Sequence, residues 1–202
     1  MRVTVLGCGG AGGVPMISAG WGQCDPQNPK NRRTRPSILI DVGQGANATR
    51  VLVDCSPDLR EQLLRTEVRH LDAILFTHAH ADHIHGLDDL REINRIMKGP
   101  IPCWGDQDTL EALHQRFGYC FMGIQEGQPV FRPWLQAHRL TEAFELGEEP
   151  VTFWRQDHAW METIGYRIGD FAYSTDVLAL PEEAFDTLKG VKVWMIGTLT
   201  NH

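Results

Sequence analysis

Phe76-Thr77-His78-Ala79-His80-Ala81-Asp82-His83-Ile84-His85-Gly86 places His78, His80, Asp82 and His83 within six residues, directly behind the apolar stretch Leu71-Asp72-Ala73-Ile74-Leu75-Phe76. Neutral imidazole and carboxylate are the ligands that borderline divalent metals prefer. The segment reads as a strand that delivers ligands to its own C-terminal end, where open α/β sheets place their sites. In extended backbone, His78 and His80 leave on the same side and can grip one ion. Asp82 and His83 follow where the chain turns toward a helix over 87–97, with Gly86 at its tight start. They cannot easily share that ion, so a second one about 3.5–4 Å away is the natural reading. The competing reading is a His-rich surface loop that takes up stray metal. The buried strand in front of the cluster argues against it.

At 202 residues the chain reads as a single domain over 1–202. Its 42% hydrophobic and 22% charged content is that of an ordinary globular fold. No stretch reaches the length of a membrane span. The start, Met1-Arg2-Val3-Thr4-Val5-Leu6, alternates like a first strand and is too short for a secretory signal. Five cysteines, at 8, 24, 55, 103 and 120, have no paired spacing, which argues against a disulfide framework and for a reducing cytoplasm. A net charge of −7 argues against a general nucleic-acid binder.

The glycine-rich run Gly7–Pro15 lacks the Lys-Ser/Thr of a phosphate loop. A dinucleotide-cofactor loop is the weaker alternative to a tight turn near the metal site in which glycine permits close approach. Strands are expected at 37–42 and 50–54 as a hairpin, then at 72–77, 101–104, 151–155, 163–168, 171–174 and 191–196. Helices are expected at 58–66, with Ser56 and Pro57 at its start, at 87–97, at 108–117 with Asp106 or Asp108 as cap, and from 180. Residues 118–150 show no clear pattern. Strands in both halves with helices between them predict an α/β sandwich.

The pattern His-x-His-x-Asp-His, after Thr77 and before Gly86, resembles the metallo-β-lactamase superfamily of metallohydrolases. The resemblance implies an αββα sandwich with a one- or two-metal site along the sheet edges. It also implies a third imidazole for the first metal, after a strand in the second half, and His158 in Gln156-Asp157-His158 matches it. A bridging carboxylate should end a later strand, and Asp176 in Phe171-Ala172-Tyr173-Ser174-Thr175-Asp176 matches that. The competing readings are a loop histidine and a cap or turn aspartate. In the family an aspartate at the position of Asp54 props the ligand loop by accepting hydrogen bonds. His85, His70, His114 and His138 are not expected to be ligands.

The opening turn ending Gly13-Val14-Pro15, the loop Asn31-Arg32-Arg33 leading to Ser37, the pair His158 and Gly165-Tyr166, and Ser174-x-Asp176 resemble a narrower group. This is the phosphoribosyl cyclic phosphate phosphodiesterases of phosphonate breakdown, the PhnP-like enzymes. Two departures stand out. Only Cys24 lies in the loop where that group often carries a structural zinc on several cysteines, so no such site is expected. The family's last histidine ligand lies on a late strand, whereas this sequence stops at Asn201-His202. His202 is therefore not assigned as a ligand. The sandwich is expected to lack its C-terminal strand and helix elements, and the second metal to rest on Asp82, His83 and Asp176.

These readings define a metal-dependent hydrolase with two divalent ions, zinc or manganese. It would act on a small cyclic or nucleotide-like phosphodiester through a metal-bound hydroxide positioned by Asp82. Arg32, Arg33 and Arg35 are candidates to hold a remote phosphate by bidentate pairing, or else form a solvated basic loop. The PhnP-like resemblance implies a homodimer. The alternatives are a ribonuclease like the tRNA 3′-processing enzymes, and an inert metal-binding domain.

Overall fold

Strands β1 (Arg2–Gly7), β2 (Ser37–Val42) and β3 (Thr49–Val53) pair antiparallel in succession. Their alternation sets the layers. Ile38, Ile40, Val42, Val51 and Val53 face one way into one buried cluster, and Leu39 and Leu52 face the other way into a second. A sheet covered on both sides needs apolar residues at both parities, which is why β2 and β3 read as nearly continuous hydrophobic runs.

Helix α1 (Leu59–Arg65) follows, then β4 (Ala73–Leu75), α2 (Ala81–Ile84), α3 (Leu90–Met97), β5 (Ile101–Gly105), α4 (Gln107–Phe117) and β6 (Leu135–Arg139). Strands β3 to β6 are mutually parallel neighbours and extend the first sheet. Leu59, Leu63, Leu90, Ile93, Leu110 and Leu113 cover its outer face from α1, α3 and α4. The second half supplies β7 (Phe144–Leu146), β8 (Glu149–His158), β9 (Met161–Ile168), β10 (Phe171–Ser174), α5 (Glu182–Leu188) and β11 (Val193–Ile196). Among the described residues the strands form a sheet of six, β1 to β6, and a sheet of five in the order β11-β10-β9-β8-β7. Val151, Ile164, Tyr166 and Ile168 pack against the inner face of the first sheet. Ala184 of α5 packs with Trp154 and Ala172 on the outer face of the second. The layers are thus α/β/β/α. The computed structural model describes residues 1–124 and 126–197, and no helix among them is long and apolar enough to cross a membrane.

Several local expectations are refined. Helix α1 begins at Leu59, one residue later than expected: Asp58, not Ser56, is its N-cap residue and gives that helix no side-chain cap. Asp106 caps α4, accepting from Thr109 N at 2.9 Å. The unread region 118–150 contains β6 and β7. The glycine-rich turn makes its close approach to the Arg33–Arg35 backbone, where a Cβ on Gly7 would lie 2.0 Å from the Arg35 carbonyl oxygen.

Gly86 starts a short 3-10 turn, Leu87–Asp89, that leads into α3. Its φ of −88° is open to any residue, so backbone freedom is not why glycine stands there. A Cβ at this position would sit 1.9 Å from the Ser56 carbonyl oxygen and 2.8 Å from Leu59 Cβ. The close approach lets Gly86 N donate to the Cys55 carbonyl (2.9 Å) while Cys55 N donates to that of His83 (2.7 Å). Gly86→Ala therefore forces apart the segment carrying His83 and the start of α1. The expected loss is about 1–3 kcal/mol, read as a lower urea midpoint at unchanged slope.

Candidate metal centre

Four strands end at one edge of the sandwich. Asp54 follows β3, the ligand loop follows β4, His158 ends β8 and Asp176 follows β10 by two residues. Strands β8 and β10 are both antiparallel to β9, so they run the same way and deliver His158 and Asp176 to the same end. Two bonds tie the sheets together just beneath the cluster: Tyr166 Oη donates to the Phe76 carbonyl (2.7 Å) and Ile164 N to that of Thr77 (2.9 Å).

The structure brings together all six predicted ligand residues. His78, His80, His158 and Asp176 form one group, and Asp82, His83 and Asp176 a second; in each group the donor atoms lie within 4.8 Å of one another. Asp176 belongs to both. Its Oδ2 is 3.3 Å from His78 Nε2, 3.2 Å from His83 Nε2 and 4.0 Å from His158 Nε2. Asp82 Oδ2 is 3.4 Å from His83 Nε2.

Asp54 organises the cluster from below. It is fully buried, with φ of +63°, a conformation that costs an ordinary residue about 1–2 kcal/mol. Its Oδ1 accepts from Thr77 N (2.8 Å); its Oδ2 accepts from Thr77 Oγ1 (2.7 Å) and lies 2.7 Å from His83 Nδ1. A carboxylate only accepts, so the Thr77 hydroxyl proton is committed to it. The hydroxyl must then accept from His78 Nδ1, 3.0 Å away. Both rings are thereby held with Nδ1–H pointing down and Nε2 pointing into the cluster. Those two Nε2 atoms are buried and have no hydrogen-bond partner among the described residues. An orphaned buried nitrogen is costly, and a divalent cation is what this donor set suits. The residues fit a metal centre.

The charges agree. Burial works against ionisation of Asp176, but His78 and His83 outweigh it and hold the carboxyl far below its usual range. Burial likewise opposes ionisation of Asp82, and His83 overcomes it. Burial also opposes protonation of His83, yet Asp54, Asp176 and Asp82 raise its pKa well above the ordinary value. The same negative field attracts a metal cation in place of that proton. His80 is pushed the other way, by burial and by His78 and His158, toward the neutral ligating form.

The three predicted phosphate arginines have local partners. Arg35 is committed to Asp58: Nη2 to Oδ1 at 2.6 Å, Nε to Oδ2 at 2.8 Å, and its backbone N to Oδ2 at 2.8 Å. Arg33 Nη2 donates to Cys24 Sγ (3.2 Å), and the Arg32 guanidinium lies over the Trp21 ring. None of the three lines the cavity of about 710 Å³ that opens beside His80. Arg116 does, and sequence reasoning missed it. Its Nη1 donates to the carbonyl of Ala79 (2.5 Å), which lies between His78 and His80. Its position on the exposed face of α4 is the only signal that could have suggested it. His85 sits edge-on to Phe117, His114 is stacked on Phe121 and bonds the Leu110 carbonyl, and His138 is stacked on Trp104; none joins the cluster. His202 lies outside the described residues.

Fold and site together define a metallohydrolase scaffold. Residues 49–202 match the family model of the β-lactamase superfamily domain, and the chain belongs to the metallo-β-lactamase superfamily, a family of metal-dependent hydrolases, as a PhnP-like member. A solved diphosphatase from the PhnP family is 35% identical, with a TM-score of 0.81 over 95% of this chain and 71% of that one. The Zn²⁺-bound PqqB of Methylobacterium extorquens, 22% identical, shares the fold with a TM-score of 0.74 over 97% of this chain and 72% of that one. Over 98% of its length the chain is also 33% identical to an octanoyltransferase of Porphyromonas gingivalis, but it spans only 39% of that protein.

Proposed function

We propose that the chain is a phosphodiesterase that works with two divalent ions, zinc or manganese, on a small phosphodiester. The observation that carries this reading is the single oxygen, Asp176 Oδ2, shared between two ligand groups. A carboxylate placed so can face two cations at once, as in two-metal hydrolases. Divalent ions bound there would lower the pKa of water to about 7 and offset charge on phosphoryl oxygens. His78, His80 and His158 would hold one ion and Asp82 and His83 the other. Asp82 stays ionised and can orient a water through a hydrogen bond. Arg116 offers a fixed positive charge to a phosphate oxygen beside His80. The likeness to the PhnP-family diphosphatase supports phosphoryl chemistry.

A ribonuclease reading is less well supported. Asp106, Asp108, Asp157 and Glu162 line the cavity beside His80, and Arg116 is the only arginine or lysine among the described residues lining it. A long polyanion needs the opposite balance.

The test is hydrolysis of bis(p-nitrophenyl) phosphate by protein loaded with Zn²⁺ or Mn²⁺, with metal analysis alongside. Two ions per chain and activity lost on chelation are expected, with His80→Ala lowering kcat/KM by at least about 100-fold, the lower end of the cost of losing one preorganised site group. Activity that survives both treatments would exclude the mechanism. One ion per chain without turnover would favour an inert metal-binding domain, and no ion a degenerate scaffold.

A further inference from the structure

Trp160 is the least covered large apolar side chain near the site, at 99% exposure. It belongs to the tight turn Ala159-Trp160 between His158 and its β9 partner Met161. The turn is well anchored. Trp160 N donates to the His158 carbonyl (2.8 Å) and Ala159 N to Asp157 Oδ1 (2.9 Å), with Ala159 at φ +59°. The backbone under the indole is held beside a candidate ligand, while the ring has no ring partner among the described residues. A tryptophan gains more than most side chains from burial, so leaving one bare forgoes a large stabilisation.

The indole lines the 710 Å³ cavity beside His80. One face of α4 also lines it: Asp108, Thr109, Ala112 and Arg116, at helical spacing. The volume falls in the range of small-ligand sites. Arg116 sits at the His80 end, where a phosphate would lie, and Trp160 provides a flat π surface. Glu162 and Asp108 offer acceptor oxygens, which suit hydroxyl and amino donors and disfavour further anionic groups. Glu162 also accepts from Arg155 Nη1 (2.9 Å).

We propose that this cavity is a nucleoside subsite in which Trp160 stacks a nucleobase whose phosphate lies at the His80 end. The inference rests on the phosphodiesterase reading and narrows it to esters and anhydrides of a nucleoside monophosphate, as against compact cyclic sugar phosphates. Base-on-aromatic stacking tolerates any base, so the subsite selects for a nucleoside without selecting which one.

The experiment is calorimetric titration of the Zn²⁺-loaded protein with AMP and with ribose 5-phosphate, which share a phosphorylated ribose and differ in the base. AMP should bind about tenfold tighter. Trp160→Ala should erase that difference and Trp160→Phe should retain most of it. The exposed position makes both variants safe for folding. Equal affinity for the two ligands, binding of neither, or a difference that survives Trp160→Ala would overturn the subsite. Aryl phosphodiester turnover without the AMP preference would keep the hydrolase reading and discard this one. The AMP preference without turnover would do the reverse.

Discussion

Asp176→Asn should strip both ions from the protein and cost more activity than any other single substitution at the site. The carboxylate oxygen it removes lies 3.3 Å from His78 Nε2 and 3.2 Å from His83 Nε2, on the boundary of the two ligand groups. Loss of a residue that merely supports a ligand typically costs about 10–100-fold in metal affinity or activity. Loss of a shared anionic ligand should exceed that for both ions. Asparagine is the right replacement because Asp176 has φ of +50°, a conformation that Asn tolerates as well as Asp does. The fold should therefore survive. Metal content after dialysis and kcat/KM on an aryl phosphodiester are the measurements. A variant that still holds two ions with undiminished affinity would remove Asp176 from the centre.

Asp54→Ala should damage stability and metal binding together, although Asp54 belongs to neither ligand group. It leaves Thr77 N, the Thr77 hydroxyl and His83 Nδ1 without their buried acceptor. Breaking a buried pair of this kind typically costs about 3–5 kcal/mol. Alanine must also adopt the left-handed backbone that Asp54 holds at φ +63°. The loss should appear in urea unfolding of chelated protein, which separates it from metal linkage. In loaded protein, metal affinity should fall about 10–100-fold, because His78 and His83 lose the partner that holds their Nε2 atoms inward. If chelated protein unfolds at an unchanged urea midpoint, the carboxylate is not the support described here.

The two predictions draw on different kinds of information. His78, His80, Asp82 and His83 are legible in the sequence because strand and helix geometry act over a few residues, and their spacing alone separates two ligand groups. The strand runs at 37–42 and 171–174 are legible because each is a short, nearly continuous apolar run, and that too is a local property. His158 and Asp176 are different. Local pattern offers each only as a residue at a strand end, and the superfamily resemblance selected them from similar candidates. Strands β6 and β7 escaped notice because one is half polar and the other spans three residues, Phe144–Leu146, too few to show a period.

Arg35 shows the limit most clearly. In sequence it is one of a cluster of basic residues facing an imagined phosphate. In the fold its guanidinium meets Asp58, 23 positions away, and is used up there. Arg116 and Trp160 carry no local mark, yet α4 and the β8–β9 turn set them on the walls of one cavity.

The sequence by itself determined the ligand chemistry, the positions of the principal strands and a family whose members hydrolyse with metal. Only the tertiary structure decided which cations are spent in ion pairs and which side chains face the cavity. The reason is physical: backbone periodicity acts over a few residues, whereas the pairing of charges and the shape of a cavity depend on groups that meet only after the two sheets have packed.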